Sequence, residues 1–395
     1  MKRERHGASV LEHFATGAAV VLLIAVTSWF LHEHRIMEHF EMANLDVFFL
    51  SLSKPVDAGT IAVVPITDDD YKELFKGKSP LEPAVVTQLI MACAVAGAKI
   101  IAVDLDTSEW KINEREKAEQ AVADASPKHS ARLVWAVGGW VNADGKPELE
   151  PLAGVESPSC EGVPASIPDT DGVVRGYLTT IGTQPNMALA INSLAKHPSS
   201  RCFSAVSQPA VGQMHYINYA GGGASFPHPS AKTVINDAGT EAWRNYNWLQ
   251  NRIVIIGGSY RAGRDKYFTP AGYMDGVDIL ALTVLSLENG IRAPTARVFF
   301  TTDVLLGFAL LTVTWFFHRT WVVLVSFLLI PAIALLTSFA AFRTFGYFFS
   351  FVPIVSGVFF HHLVEHALEH RRLRREVGEL RQKVINQARA HAPPL

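Results

Sequence analysis

The chain has 395 residues, of which 49% are hydrophobic and only 18% are charged, and its formal net charge is −2. Soluble domains are roughly a quarter charged, so this composition argues against a wholly soluble protein and also against a disordered chain. The absence of a basic excess argues against nucleic-acid binding, and three cysteines are too few for a four-cysteine zinc site.

The apolar residues are concentrated in four runs near the two ends of the chain. The first run, residues 14–31, follows three basic residues. No small-residue cleavage site comes after it, which favours an uncleaved anchor over a removed signal peptide. Three further runs, 298–317, 321–342 and 345–364, are each close to the length of a spanning helix. We therefore predict four transmembrane helices.

The positions of the basic residues predict the orientation of these helices. Basic residues precede the first run, and four arginines between positions 371 and 375 follow the last. Since positive flanks remain inside, residues 1–13 and the tail 365–395 are expected in the cytoplasm. Residues 32–297 are then expected outside the membrane, and they are numerous enough to form one domain with its own core.

Residues 32–297 are predicted to form an α/β domain with a mixed or mostly parallel sheet covered by helices. Apolar runs without alternation are typical of strands buried on both faces, and helical periodicity separates them. The predicted strands are 60–66, 99–105, 132–137, 173–180 and 252–256, and the predicted helices are 83–98, 113–125, 187–196 and 276–289.

Acidic and hydroxyl side chains follow three of the predicted strands. Parallel strands gather functional groups at their carboxyl ends, which predicts a ligand or cation pocket there. The candidate ligand-binding residues are Asp68, Asp69, Asp104, Asp106, Ser259 and Asp265. The alternative is that these aspartates cap helices and turns. No catalytic motif is present in the sequence, so no catalytic residue and no cofactor are predicted.

The cysteines allow one disulfide. Cys160 and Cys202 both lie in loop-like sequence of the predicted outer domain, where an oxidising compartment would let them pair. Two free thiols are the alternative. Cys93 falls on the apolar face of a predicted helix and is expected to be an inert core residue.

Four segments together resemble a known family. They read IAVVPITDDDYKEL, QLIMACAVAGAKIIAVDLDTSE, IPDTDGVVRG and NRIVIIGGSYRAGRDKYFTPAGYMDGVDILALTVLSLENG. Their content and order resemble the CHASE-type sensory domain of the second type, the extracytoplasmic input domain of bacterial receptors. The resemblance implies one N-terminal span, a periplasmic domain and a three-helix membrane bundle in the bacterial inner membrane.

The chain also departs from that family. Residues 76–80, KGKSP, replace a Trp-rich segment, and Leu280 stands where a His is common. Family members usually carry a cyclase, kinase or cyclic-dinucleotide enzyme after the bundle, whereas only residues 365–395 follow it here. The resemblance therefore implies a sensor that passes its signal to a separate cytoplasmic output protein.

The tail is predicted to be helical. A heptad pattern with Leu363, His370, Val377 and Val384 at one seam position favours a short parallel dimeric coil, and an amphipathic helix on the anionic leaflet is the alternative. We predict no metal site. His362, His366 and His370 share one helical face and are only weak candidates for metal or haem, since amphipathic His also suits a membrane interface.

Three functions are compatible with these patterns. The first is a non-enzymatic inner-membrane sensor whose periplasmic domain binds a small ligand or partner protein and whose tail engages the output protein. The second is a structural or assembly subunit of an envelope complex. The third is a periplasmic enzyme using Asp68, Asp104 and Asp106 with a divalent cation, because hard oxygen ligands suit Mg²⁺ or Ca²⁺.

Overall fold

The structure is a computed structural model. It describes residues 22, 26, 30, 38–52, 58–125, 131–141, 147–149, 160–164, 166–181, 184–197, 214–219, 226–238, 240–241, 247–287, 320–345, 367, 370–371 and 373–385. The chain forms two compact units. One comprises Asp46–Ala293 with Phe342–Tyr347, and the other comprises Met1–Leu45, Pro294–Ala341 and Phe348–Leu395.

The described strands and helices are numbered in chain order. The strands are β1 (Ile61–Ile66), β2 (Ile100–Asp104), β3 (Arg132–Ala136), β4 (Gly139–Val141), β5 (Pro147–Leu149), β6 (Cys160–Gly162), β7 (Ser166–Pro168), β8 (Val174–Leu178), β9 (Thr180–Ile181), β10 (Gln184–Pro185), β11 (Met214–Tyr216), β12 (Ile253–Gly258), β13 (Lys266–Thr269) and β14 (Gly272–Asp275). The helices are α1 (Glu38–Leu52), α2 (Asp68–Glu73), α3 (Pro83–Val95), α4 (Ile112–Ala125), α5 (Met187–Lys196), α6 (Ala231–Asp237), α7 (Gly276–Ser286) and α8 (Thr320–Phe345).

A five-stranded sheet forms the centre of the domain, in the order β1-β12-β2-β3-β6. All four pairings are parallel. The predicted α/β fold with a mostly parallel sheet is therefore confirmed. The apolar runs explain the arrangement, because strands covered on both faces need apolar residues at every position.

Successive residues of these strands point to opposite faces and build two cores. Ala62 and Val64 of β1 belong to a core completed by α3, α4 and α6. Ile61 and Val63 belong to the other core, which α5 and α7 complete. Gly257 allows the close approach of α7, since a Cβ there would lie 2.7 Å from the Cβ of Val277.

Two predictions about individual segments need correction. The predicted strand at 173–180 exists as β8, but it belongs to a separate antiparallel sheet of order β11-β8-β7. Cys160, predicted to lie in a loop, begins the edge strand β6. Three residues are too few to display a strand pattern, which is why the sequence did not reveal β6.

The predicted spans fall largely outside the described residues. This is so for residues 298–317, for 345–364 except Phe345, and for 14–31 except three isolated positions. Residues 321–342 lie within the helix α8. In the described part of the chain, no helix has both the length and the apolar character needed to cross a bilayer. Residues 373–385 of the predicted helical tail are helical.

Candidate ligand cavity at the carboxyl edge of the sheet

A cavity of about 370 Å³ lies at the carboxyl ends of β12, β2, β3 and β6. Its walls come from the segments that follow these strands and from the first turns of α7. The residues that line it are Asp104, Leu105, Asp106, Thr107, Ala136, Val137, Gly138, Val163, Pro164, Ser166, Asn186, Gly258, Tyr260, Gly263, Asp265, Tyr267, Gly276, Leu280 and Thr283. Three candidate residues from the sequence, Asp104, Asp106 and Asp265, are thus brought to one cavity.

Asp104 and Asp265 are the half-buried acids of this cavity. Asp104 ends β2 and is in register with Gly257 of β12. The Asp265 carboxylate lies directly over Gly276, where an added Cβ would come within 2.6 Å of the Asp265 Cγ. The Gly276 amide also donates to the Asp265 carbonyl at 3.0 Å. Glycine at the start of α7 therefore makes room for the second acid.

The protonation of this pair is shifted by its surroundings. Burial raises the pKa of Asp104 to about 8, and the negative charge of Asp265 adds to the rise. Burial also raises the pKa of Asp265, although a hydrogen bond from Tyr267 opposes the rise. The pKa of Tyr267 itself is raised to about 12, by burial first and then by Asp265. Raised carboxyl pKa values in a cleft are typical of functional sites, because no partner neutralises the charge.

The loop after β2 is held rigidly beside this pair. Asp106 is exposed, and its carboxylate accepts hydrogen bonds from the amide and hydroxyl of Ser108 at 2.9 and 2.6 Å. The Thr107 hydroxyl accepts from the buried Arg115 guanidinium, with Nε at 3.1 Å. That guanidinium lies over the Trp135 ring, 5.2 Å from its centroid. The cavity floor is thus fixed by contacts that reach into the core.

The acidic residues after β1 make contacts with the start of α2 and with neighbouring loops. Thr67 and Asp70 form a capping box at the start of α2. Asp70 is buried, and its second oxygen accepts the Lys232 amide at 3.1 Å. Asp68 accepts the amide of Arg261 at 2.9 Å, and Asp69 is exposed. The capping alternative therefore accounts for Asp68 and Asp70.

Asp68, Asp69 and Ser259 are not among the residues that line this cavity. The Ser259 amide extends the β1 pairing by donating to the Ile66 carbonyl at 3.0 Å. Asp104 and Asp106 line the cavity and Asp68 does not, and the enzyme site suggested for these three residues stays a prediction. The sequence gives residue order after a strand, but it does not show which side chains turn toward the neighbouring strand.

Several lining residues were not predicted. Tyr267 comes two residues after Asp265, and Tyr260 stacks on Tyr71 with ring centroids 4.4 Å apart. Asn186 caps α5 by accepting the Ala188 amide at 2.9 Å. Their only sequence signal is position, because each lies within a few residues of a strand end or a helix start.

A second acidic cluster surrounds the buried Arg175 of β8. Its guanidinium donates to Asp46 at 2.7 and 2.8 Å, to Asp169 at 3.0 Å and to Asp171 at 2.8 and 2.9 Å. Burial alone would lower the pKa of Arg175, but the three carboxylates outweigh burial and raise it. The IPDTDGVVRG segment thus supplies one arginine and two of its partners. We call this group the arginine network.

The remaining candidates are only partly within the described residues. Cys93 is a buried free thiol whose pKa is raised by burial, as expected of an inert core residue. Cys160 is buried, but Cys202, His362 and His366 lie outside the described residues. The disulfide therefore stays a prediction. Within the described segments no group of three His, Cys, Asp or Glu is arranged to hold a metal ion.

Comparison with known proteins identifies the family. A family model described as the CHASE2 domain matches residues 18–318. No curated protein and no solved structure matches the chain. The family match covers most of the chain and agrees with the resemblance of its four segments. The chain therefore belongs to the CHASE2 domain family, a family of extracytoplasmic sensory domains.

Proposed function

We propose that this chain is an inner-membrane sensor whose periplasmic CHASE2 domain binds a small ligand in the cavity at the carboxyl edge of the sheet. The observation that carries the proposal is the cavity itself, with Asp104 and Asp265 facing it without a described cation. A pocket of this size that combines apolar walls with a few convergent polar groups is typical of small-molecule sites.

A continuous series of contacts leads away from the cavity along α7. Leu280 and Thr283 line the cavity on the first turns of this helix. At its end, the buried Ser286 hydroxyl accepts the Asn218 amide at 2.8 Å. Asn218 is followed by Tyr219, whose hydroxyl donates to the Val174 carbonyl at 2.8 Å. A ligand that shifts α7 would therefore act on the segment that contains Tyr219.

The same segment contacts the end of α1. Tyr219 packs edge-on against Phe49, with ring centroids 6.1 Å apart. Next to Val174, Arg175 holds Asp46 one turn earlier on α1. The α1 helix follows the first predicted span in the sequence. These contacts support a relay from the cavity to α1, and packed side chains of this kind can carry coupling between sites.

The part of the proposal that concerns the membrane spans and the cytoplasmic tail rests on the sequence. Four spans would anchor the chain in the lipid bilayer, and the tail would engage a cytoplasmic output protein. Leu373, Val377, Leu380 and Val384 of the helical tail are each more than half exposed. Their spacing of four, three and four is that of a coiled-coil seam, which supports a parallel homodimer or a helical partner.

The ligand-binding part can be tested with a cavity-filling variant. Full-length protein in mild detergent would be screened by thermal unfolding against a library of small polar molecules. A ligand near 100 times its Kd should raise the Tm by about 5 °C. Ser166→Trp, which fills the cavity, should abolish the rise.

The matched control is Gln88→Trp, on the exposed side of α3, which should leave the rise intact. A library without any stabilising member would contradict the sensor and favour a structural subunit. A ligand that binds Ser166→Trp as well as wild type would show that the site lies elsewhere.

A further inference from the structure

The described charged side chains that line the cavity are all acidic. Its ionisable carboxyl groups are Asp104, Asp106 and Asp265, and no Lys, Arg or His is among the described residues that line it. Two of the neighbouring cations, Arg115 and Lys266, are already paired with acids of their own. Arg115 pairs with Glu161 at 3.3 Å, and Lys266 pairs with Asp275 at 2.9 Å. An anionic ligand would therefore meet carboxylates without a compensating charge.

The cavity is lined by both polar and apolar residues. Hydroxyl groups of Thr107, Ser166 and Tyr260 lie among its lining, together with the carboxyl groups. Val163 and Leu280 supply hydrocarbon surface, and both are at least 95% buried. A ligand that contacts both the polar and the apolar residues of this lining would have a charged head and a short hydrocarbon body.

The size of the cavity separates an organic ligand from a bare ion. A volume of about 370 Å³ corresponds to roughly a dozen water molecules at about 30 Å³ each. A lone divalent ion would leave most of this space to water. The described residues also contain no group of three acidic, His or Cys side chains arranged to hold a metal ion.

We infer that the cavity takes a small organic cation, with an ammonium or amidinium group between Asp104 and Asp265 and a hydrocarbon body against Leu280. This inference rests on the proposed sensory function and narrows its ligand to one chemical class. Charge-assisted hydrogen bonds to carboxylates are the strong contacts that such a head group would make.

Binding of a cation should release protons. The charged and titratable groups around the pair are Asp106 and Tyr260 in the adjoining loops, Tyr267 of β13 and Asp275 of β14, together with Lys266, which Asp275 already neutralises. Arg264 precedes Asp265 and is exposed. Since no cation is among the described residues that line the cavity beside Asp104, a bound ammonium would supply a compensating charge, and the carboxyl would lose its proton on binding.

Isothermal titration calorimetry of the full-length protein in mild detergent tests this inference. The cationic probes are n-butylamine, 1,4-diaminobutane and agmatine, and the matched neutral and anionic probes are 1,4-butanediol and succinate. We expect binding of at least one amine, about tenfold tighter at pH 8 than at pH 6. Buffers of different ionisation enthalpy should report proton release.

Two variants and a control locate the binding. Asp104→Asn and Asp265→Asn should each weaken amine binding at least tenfold, whereas Asp69→Asn, an exposed acid outside the cavity, should leave it unchanged. Thermal unfolding of each variant shows that it is folded. Amine binding that none of the cavity variants weakens would overturn the inference.

The remaining outcomes separate this inference from the sensory function. Failure of all three amines at millimolar concentration would overturn the cationic ligand. If the diol or succinate bound instead and Ser166→Trp abolished that binding, the sensor would stand with another ligand class. If no probe bound and the thermal screen also found no ligand, both proposals would fall.

Discussion

Two groups of buried carboxylates in the CHASE2 domain differ in how their charge is balanced. In the arginine network, Asp46, Asp169 and Asp171 surround one guanidinium at 2.7–3.0 Å. In the cavity, Asp104 and Asp265 line the same space, and no described cation is among its lining residues. In the first group, the ion pairs stabilise the fold. In the second group, the carboxyl groups have no described cation beside them, which costs stability and leaves them available to the proposed ligand.

The largest expected effect comes from removing the only positive charge of the arginine network described above, the guanidinium of Arg175. Arg175→Met would leave three carboxylates together without their partner, and we expect a loss of about 3–5 kcal/mol in the free energy of unfolding. Chemical denaturation of the full-length protein in detergent measures it. The matched control is Arg261→Met, because Arg261 is exposed and its contact with Asp68 spans 3.4 Å. That change should cost under about 1 kcal/mol. Equal losses would show that the network is not structural.

In the cavity, removing a charged group should stabilise the protein instead of destabilising it. The folded-state pKa of Asp104 is raised to about 8, so stability falls as the pH rises from the ordinary value of about 4 toward 8. Asp104→Asn should therefore stabilise the protein by on the order of 2 kcal/mol at pH 7, since each pKa unit is worth about 1.4 kcal/mol and cavity water screens part of it.

The gain from Asp104→Asn should shrink as the pH falls and vanish below about pH 3, where the wild-type carboxyl is protonated in both states. Thermal unfolding across this pH range measures the difference. Asp69→Asn is the control, because Asp69 is exposed and should show no such trend. Destabilisation by Asp104→Asn at pH 7 would show that the cavity carboxylate is compensated after all.

The acids after β1 give a smaller and more local test. Asp70 completes the capping box of α2 and accepts the Lys232 amide. Asp70→Ala should therefore lower the free energy of unfolding by about 1–2 kcal/mol, whereas Asp69→Ala should change it by less than about 0.5 kcal/mol. Both variants should keep the affinity of the wild type for cavity ligands, as measured by calorimetry. A weaker affinity in either variant would show that the substituted acid contributes to ligand binding.

The smallest expected effect concerns His228, which contacts Asp278 of α7 at 2.7 Å. The hydrogen bond to Asp278 raises the pKa of this half-exposed His. Its contribution to stability is full below about pH 6.5 and is lost as the pH rises through the raised pKa. His228→Gln should therefore cost under about 1 kcal/mol at pH 6 and less at pH 9, by thermal unfolding. A cost that grows with pH would contradict the pairing.

Much of the fold could be predicted from the sequence, because buried parallel strands and amphipathic helices have distinct periodicities. The helix Met187–Lys196 has the predicted limits, and β2 lies within the predicted run 99–105. The edge strand β6 could not be predicted, since three residues carry no period. The order β1-β12-β2 also depends on pairing between segments far apart in the chain.

The site could be predicted only in part. The strand ends indicated the carboxyl edge of the sheet, and Asp104, Asp106 and Asp265 line a cavity there. Asp68 and Asp69 carry the same signal, yet a helix begins there and Asp68 bonds the loop after β12 instead. The network around Arg175 was hidden for a different reason. Its partner Asp46 is 129 residues away, and no local pattern links the two.

The most direct test of the claim that no cation compensates the Asp104 carboxyl in the cavity is a difference titration. Proton binding would be measured potentiometrically for the full-length wild type and for Asp104→Asn, between pH 3 and pH 10, under the same detergent conditions. The account predicts one extra proton in the wild type that dissociates near pH 8, and its release on addition of a cavity-binding amine. An extra proton that dissociates near pH 4, as for an ordinary aspartate, would contradict it.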